Sequence, residues 1–467
     1  MSGAPLPPAA RPGERRVLRA AALANAPVEV LDFLLPLWAA ATLHAGPATA
    51  GALVAAEAVL SLLVRPVAGE LADRFDRRRV AAAGALAYAL SFAGYALADS
   101  APWAFAAAAV GGAGGALFWV AVRSWTGDGE GERTGAYGAL LAAEGRGALA
   151  GYVLAFLILQ NTGYRAVFWA GCAACSVAAA LLLRGTGTPA ATGAGRPALA
   201  RGASPDRPRP GRAMLPLMAV AAVTAAGEAG LWLILLLRLQ GDGLSPGEIM
   251  TVFAPGLLVF VLLPEHAHHV TARLGRTPAM VAAFVAGALF AGGLVVVPTP
   301  TGIAVLWALA AACFAAQIPV EQATVSAAAG GRPGRGLGLY EAARLTGVMA
   351  GTAALGALYE AWGWTAACTA AAGASLAGAV VAPYAIRVLG LPDLAAPASE
   401  AREEGTPAAE RARSERQGWY VHTALFALGQ AALWGFGAPE WLGKTWLTVY
   451  VVDTLWSWSY TVFPREK

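Results

Sequence analysis

Apolar residues fill most of this chain in blocks of about 20, near 20–43, 47–68, 80–98, 102–123, 136–159, 165–184, 214–237, 247–264, 279–298, 302–325, 337–359 and 364–388. At 1.5 Å per residue each block is long enough for a helix to cross the ~30 Å hydrocarbon core of a bilayer. Helices are the expected form, because in hydrocarbon a segment must satisfy its own backbone N–H and C=O groups. The pattern predicts twelve spanning helices joined by short polar turns. Two longer polar stretches interrupt it. Residues 185–213, rich in Gly, Pro, Ala and Arg, read as a flexible linker, and residues 389–418 as a charged, Ala- and Pro-rich one. Beyond them, 419–441 and 445–464 are two further apolar stretches joined at Leu442, Gly443 and Lys444, and this tail carries six tryptophans. Trp favours the membrane interface, so residues 419–467 read as a two-helix hairpin, either spanning or interfacial. The spanning form is preferred, since both ends would then return to the side of Arg413, Arg416, Arg465 and Lys467.

Composition excludes an ordinary soluble fold. The 467 residues are 57% hydrophobic and 13% charged, with a mean hydropathy of +0.56. Residues 1–19 contain Pro and Arg but no apolar stretch followed by a small-residue cleavage site, so they read as a cytoplasmic lead-in and not a signal peptide. Basic residues cluster on alternate connections: Arg11 to Arg19, Arg74 to Arg79, Arg123 with Arg133, Arg184 to Arg212, Arg273 with Arg276, Arg332 with Arg335, and Arg387. The turns on the other side have none, apart from Arg165 and Arg238. By the positive-inside rule both ends of the bundle are cytoplasmic, in a multi-pass protein of the cell membrane. No basic patch suits nucleic acid. Cys172, Cys175, Cys313 and Cys368 all lie in apolar runs, and the CxxC spacing of the first two reads as small-residue packing, not a redox or metal site.

The two halves of the bundle, 20–184 and 214–388, look like repeats. At a shift of about 200 residues Glu29 falls on Glu228, Arg74 on Arg273 and Arg77 on Arg276, while Gly138, Gly147, Gly151 and Gly163 fall on Gly338, Gly347, Gly351 and Gly363. Two repeated halves around a central site are a transporter architecture.

The stretch from Arg65 to Arg79 lies between the second and third blocks and contains Gly69, Leu71, Ala72, Asp73, Arg74, Arg77 and Arg78, with a faded copy half a chain later. It resembles the signature loop of the major facilitator superfamily, Gly-x-Leu-Ala-Asp-Arg-x-Gly-Arg-Arg, with Asp76 standing where the second glycine belongs. The resemblance implies an all-α membrane protein, a twelve-helix bundle of two pseudo-symmetric six-helix halves, here followed by the hydrophobic hairpin. It also implies gating roles for Gly69, Asp73, Arg74, Arg77 and Arg78. Asp73 would accept hydrogen bonds from the start of helix eleven or pair with an arginine such as Arg123 or Arg133. In drug/proton antiporters of the superfamily a glycine pair in helix five is followed by Pro and further glycines. Gly147 and Gly151 are present, but Tyr152 follows, so the antiporter subgroup is weakly supported.

Ionisable groups inside membrane helices are costly to insert and are functional candidates. Glu29 and Asp32, three residues apart, share one face of the first helix, and Glu228 holds the symmetric position in helix seven. The resemblance implies that all three face the substrate path. Glu144 and Arg146 lie in the middle of helix five but point apart. Arg146 would pair with Asp32 or Glu29, and Glu144 with a substrate or a proton. A cavity carboxyl of this kind can bind and release a proton near neutral pH, which makes Glu144 the first choice of proton carrier. Glu57 in helix two is a weaker candidate. Glu341 and Arg344 are spaced to pair on one helix face and, with Gln317, Glu321, Gln322 and Tyr340, read as a cytoplasmic gate or lattice. Glu265, His266, His268 and His269 read as solvated polar residues at a helix end, with a metal site as the alternative.

No GxxxxGK[ST] stretch and no nucleophile–base or zinc-type motif is present, so neither ATP-driven transport nor an enzyme is expected. The expected function is secondary active transport by alternating access, with protons, a small-molecule substrate and the lipid bilayer as partners, no cofactor or metal, and no obligatory protein partner. Proton-coupled efflux of a small amphiphilic or cationic compound is favoured, because acidic groups outnumber basic ones at mid-membrane. A proton-coupled importer of a small organic solute is the nearest rival, and a transport-inactive scaffold or sensor recruiting a partner through the Trp-rich tail is the alternative of another class.

Overall fold

The computed structural model describes residues 12–45, 47–127, 133–184, 213–244, 246–264, 274–329 and 332–393, with single residues and short groups between 416 and 458. The linker 185–212 and the His266, His268 and His269 cluster lie outside the described residues, as does most of the tail. Everything regular in the described residues is helix: α1 (Pro12–Thr42), α2 (Pro47–Arg74), α3 (Arg77–Leu97), α4 (Ala101–Thr126), α5 (Arg133–Thr162), α6 (Tyr164–Leu183), α7 (Leu215–Gly241), α8 (Pro246–Leu262), α9 (Arg276–Val296), α10 (Pro300–Ala329) and a run Pro333–Leu389. Gly363, at φ 79°, breaks that run into α11 (333–362) and α12 (364–389). Gly163, between α5 and α6, has φ 81°. Both glycines occupy a backbone region that side chains disfavour, and they turn consecutive helices back on each other.

Nine helical stretches among the described residues are long and apolar enough to cross a membrane, or ten with the bent α1, the run Pro333–Leu389 counting once. The α8 helix, at 17 residues, falls short of that length. The bend in α1 is 53°, between Gly13–Asp32 and Leu34–Thr42. Pro36 explains it: proline has no N–H to give the carbonyl four residues back, which is that of Asp32. The α1 helix also begins well before residue 20, where the apolar block starts, because Val17 is buried in the core beside Ala20 and Ala21 and holds the first turns in place.

Small residues set the helix spacing. On α5, a Cβ at Gly147 or Gly151 would strike the carbonyls of Ala22 and Ala26 on α1; on α11, a Cβ at Gly347 or Gly351 would strike those of Ala222 and Ala226 on α7. Contacts of this closeness drive association where no hydrophobic effect acts between helices in lipid. One large core joins α1 to α4 and α6 around Trp38, Phe92, Tyr95 and Phe168. A second lies among α7 to α12 around Phe290, Trp307 and Phe314. A third gathers Met280, Phe284, Leu337 and Tyr340 from α9 and α11, and takes in Tyr137 from α5.

Between the first six and last six helices, α2 and α4 pack on the run Pro333–Leu389, while α5 packs on α8 and α10. In the tail, Trp419 Nε1 donates to Thr454 Oγ1 (2.9 Å), the Thr423 and Tyr450 hydroxyls share a hydrogen bond (3.0 Å), and Gln430 Nε2 donates to the Gly443 carbonyl (2.8 Å). The Phe426 and Tyr450 rings stack at 4.2 Å.

Candidate functional site

The polar groups that link the two sets of six helices form layers, beginning at the end of the bundle that carries the α2–α3 turn. Asp73, in the last turn of α2, accepts hydrogen bonds from the backbone N–H of Gly334 (Oδ1, 2.8 Å) and of Arg335 (Oδ2, 2.9 Å). These amides belong to the first turn of α11, where N–H groups have no partner within the helix and attract an anion. The approach needs two glycines, since a Cβ on Gly69 would strike the Gly334 backbone and a Cβ on Gly334 the Gly69 carbonyl. Among the described side chains the arginine beside Asp73 is Arg77, at 3.5 Å, and not Arg123, while the Arg133 side chain lies outside them. Arg77 is buried and also donates to the Ala72 (3.0 Å) and Ser124 (3.1 Å) carbonyls, tying α3 to α2 and α4. Arg74 is exposed and pairs with Glu70 at 2.7 Å. Asp76 needs no left-handed turn: at φ −60° it caps α3, accepting from Arg78 N at 2.9 Å, and the Arg78 side chain lies 3.7 Å from it.

Deeper lies an ionic network across both sets of helices. Arg65 on α2 donates to the Glu341 carboxylate (2.7 Å) and carbonyl (2.8 Å) on α11. Glu341 also lies 3.3 Å from Arg123 Nε on α4. Arg123 reaches on to both carboxylate oxygens of Glu144 on α5, at 3.2 Å each. Its guanidinium stacks over the Trp119 ring at 4.9 Å. Arg344 sits 3.3 Å from Glu228 on α7 and 3.7 Å from Glu321 on α10. Glu321 is 0% exposed and accepts from Gln317 (2.6 Å), Thr224 (3.2 Å) and Tyr340 (3.0 Å).

One expected pairing is replaced by others. Glu341 and Arg344 share a helix face, yet their ion pairs run to Arg65 and Arg123 and to Glu228 and Glu321 on other helices. In a low-dielectric interior the partner that gives close, direct contact outweighs the local one. Glu144 pairs with Arg123.

Beyond the network, Glu29 and Asp32 on α1 are exposed in mid-helix. The Glu29 carboxylate lies within electrostatic reach of Asp32 and of Glu228, and Asp32 within reach of Glu57. Tyr152 donates to the Glu29 carbonyl (3.2 Å) and Asn25 to that of Glu144 (2.9 Å), which couples α1 to α5 beside these acids. Arg146 is half-buried on α5.

Sequence reasoning gave no role to Arg65, Thr224 or Asn25. The signal for Arg65 was available, a guanidinium inside an apolar block, whereas Thr224 and Asn25 are ordinary residues until their partners are known. Among the described residues no group of three His, Cys, Asp or Glu side chains is placed to hold a metal ion. All four cysteines have free thiols.

A family model described as Major Facilitator Superfamily matches residues 20–300 and again 217–463. No curated protein sequence matches the chain. Similar folds are found in the human organic anion transporter MFSD10 (TETRAN), with a TM-score of 0.64, 17% identity and coverage of 80% of this chain and 100% of that one. A bacterial homologue of the iron transporter ferroportin in an outward-facing state has a TM-score of 0.65 at 13% identity, covering 80% and 99%. The proton:xylose symporter XylE bound to 6-bromo-6-deoxy-D-glucose has a TM-score of 0.63 at 14% identity, covering 79% and 94%. Helices tied by the Asp73 carboxylate, an ionic network that joins α2, α4 and α5 to α11, and a family match over most of the sequence lead to one assignment: the chain belongs to the Major Facilitator Superfamily of secondary transporters.

Proposed function

We propose that this protein is a drug/proton antiporter-like member of the superfamily that exports a small amphiphilic or cationic compound in exchange for protons. The observation that carries the reading is charge. Seven carboxylates lie within the helices, those of Glu29, Asp32, Glu57, Glu144, Glu228, Glu321 and Glu341, against four guanidiniums, those of Arg65, Arg146 and Arg344 and, in the last turn of α4, Arg123. Charges inside a membrane protein are stable only when paired or neutralised. The surplus carboxylates therefore call for protons or a cationic substrate, and the exposed ones, Glu29 and Asp32, lie outside the Arg–Glu network. The chain is read as a multi-pass protein of the cell membrane with a cytoplasmic N-terminus, built of two pseudo-symmetric six-helix halves, 20–184 and 214–388. The matching contacts of Gly147 and Gly151 with those of Gly347 and Gly351 support that division. In the tail each step forward from Trp419 to Gln430 is matched by a step back from Thr454 to Gly443, which favours an antiparallel two-helix hairpin.

On this reading Asp73, Gly69, Arg77 and the Arg65–Glu341–Arg123 chain close the cytoplasmic end, and Arg74 and Arg78 flank the closure. Glu144 carries the proton: when it is protonated, its hold on Arg123 weakens and the halves are free to rock. The test is proton flux in proteoliposomes under an imposed pH gradient, with cationic, neutral and anionic solutes added in turn. Solute-dependent flux is expected with cations and is lost in Glu144→Gln. Flux that persists unchanged in a folded Glu144→Gln protein rules out Glu144 as the carrier.

A further inference from the structure

Two arginines, Arg165 and Arg238, break the alternation of basic connections, and both lie at the end of the bundle opposite Asp73. Arg238 is accounted for within the protein: it pairs with Asp242 at 3.0 Å and lies over the Trp364 ring at 5.9 Å. Arg165, in the first turn of α6, is exposed and makes no ion pair among the described residues.

Beside Arg165 the helices leave an apolar crevice of about 130 Å³. Its floor is α1, through Val30, Leu31 and Leu34, all buried, and its rims are α5 and α6. Leu154 on one rim is 49% exposed, and Ala170 and Ala174 on the other are half-buried, so the crevice opens sideways between the two helices. Close packing elsewhere creates the gap. Gly147 and Gly151 draw α5 onto α1, while Gly171 draws α6 onto Phe92 of α3, so α5 and α6 part below their turn at Gly163. No polar side chain lines the crevice. Water would find no hydrogen-bond partner in it, and an empty crevice would leave its walls without dispersion contacts. In a bilayer the material at hand to fill it is hydrocarbon.

The end of the crevice carries the charge. Arg165 stands one turn before Phe168, which lines the crevice, and on the same side of α6, about 5 Å away along the axis. The first-turn amides of α6, which Gly163 caps without a side chain, add to the positive field there. Tyr164 is half-buried and Trp169 is 43% exposed. Aromatic residues of this kind settle at the level of lipid headgroups.

We propose that the α5–α6 crevice is a binding site for an anionic phospholipid, with one acyl chain in the crevice against α1 and the phosphate held by Arg165. Leu31 and Leu34 lie on either side of the 53° bend of α1, so the chain packs on the bend itself and steadies the angle at which Glu29 and Asp32 are presented. The site lies outside the ionic network and does not depend on which solute is moved.

The test is native mass spectrometry of the full chain released from nanodiscs of phosphatidylcholine and phosphatidylglycerol in equal parts. The parent protein is expected to keep one phospholipid under activation that strips the rest, and to prefer phosphatidylglycerol about fivefold. Arg165→Gln is expected to keep one lipid without that preference. Ala170→Leu fills the crevice and is expected to lose the lipid, as is Ala174→Leu, with the fold of each verified by its melting temperature. An equal lipid count in the parent and in a folded filled variant overturns the proposal. So does a parent protein with no preference for the anionic headgroup, or a preference that survives Arg165→Gln. Displacement of the lipid by tetraphenylphosphonium, a lipophilic cation, would assign the crevice to the transported solute and overturn it as well.

Discussion

Glu341 meets two guanidiniums at once, and its burial makes that arrangement consequential. Exposed pairs such as Arg74 with Glu70 are worth about 0–1 kcal/mol, whereas removing one partner of a buried pair costs about 3–5 kcal/mol. Glu341→Gln leaves Arg65 the carbonyl of residue 341 and the Ser61 hydroxyl but no carboxylate, and leaves Arg123 the Glu144 carboxylate. A marked drop in melting temperature in detergent is expected for Glu341→Gln and almost none for Glu70→Gln, both measured by thermal unfolding. Equal, small effects would mean that the Glu341 pairs are as weak as surface ones. Among single residues, the Asp73 loop could be read from its motif because the spacing of its Gly, Asp and Arg residues is local. The partners of Glu341 and Arg344 could not, because each is chosen by contacts with helices far away in the chain.

Helix contacts here are governed by where a backbone can approach another backbone. The carbonyls of Ala222 and Ala226 occupy the space that a methyl group on Gly347 or Gly351 would need. Gly356, on the same helix, has nothing within 4 Å of such a methyl group. Ala is a better helix former than Gly by about 1 kcal/mol, so Gly356→Ala is expected to be neutral or slightly stabilising. Gly351→Ala is expected to lose about 1–3 kcal/mol through overpacking of α7 on α11, visible as opposite shifts in melting temperature. A matching response of both sites would show that the α7–α11 approach is slack. Most helices were legible from apolar blocks of spanning length, and the block boundaries failed where packing outweighs hydropathy. The first turns of α1 are polar enough to look like a lead-in, yet Val17 anchors them. The short α8 contains Pro255 and ends before the block does.

Across the whole molecule the described contacts make a bundle held at one end by Asp73 on the α11 amides and by Arg65 and Arg123 on Glu341. Glu29 and Asp32 remain exposed deeper in α1. Carboxylates in excess of guanidiniums explain why protons or cations would be drawn to such a bundle, and why exchanging one for the other would let it rock. Linkage requires the exchange to run in both directions. The most direct measurement uses proteoliposomes with equal pH on both sides and a gradient of a cationic solute alone, with internal pH followed by a trapped dye. Antiport predicts protons moving against the solute until a pH gradient of opposite sense has formed, and its collapse on adding a protonophore. Protons moving in the same direction as the solute, or solute entering with no change in internal pH, would contradict proton-coupled export.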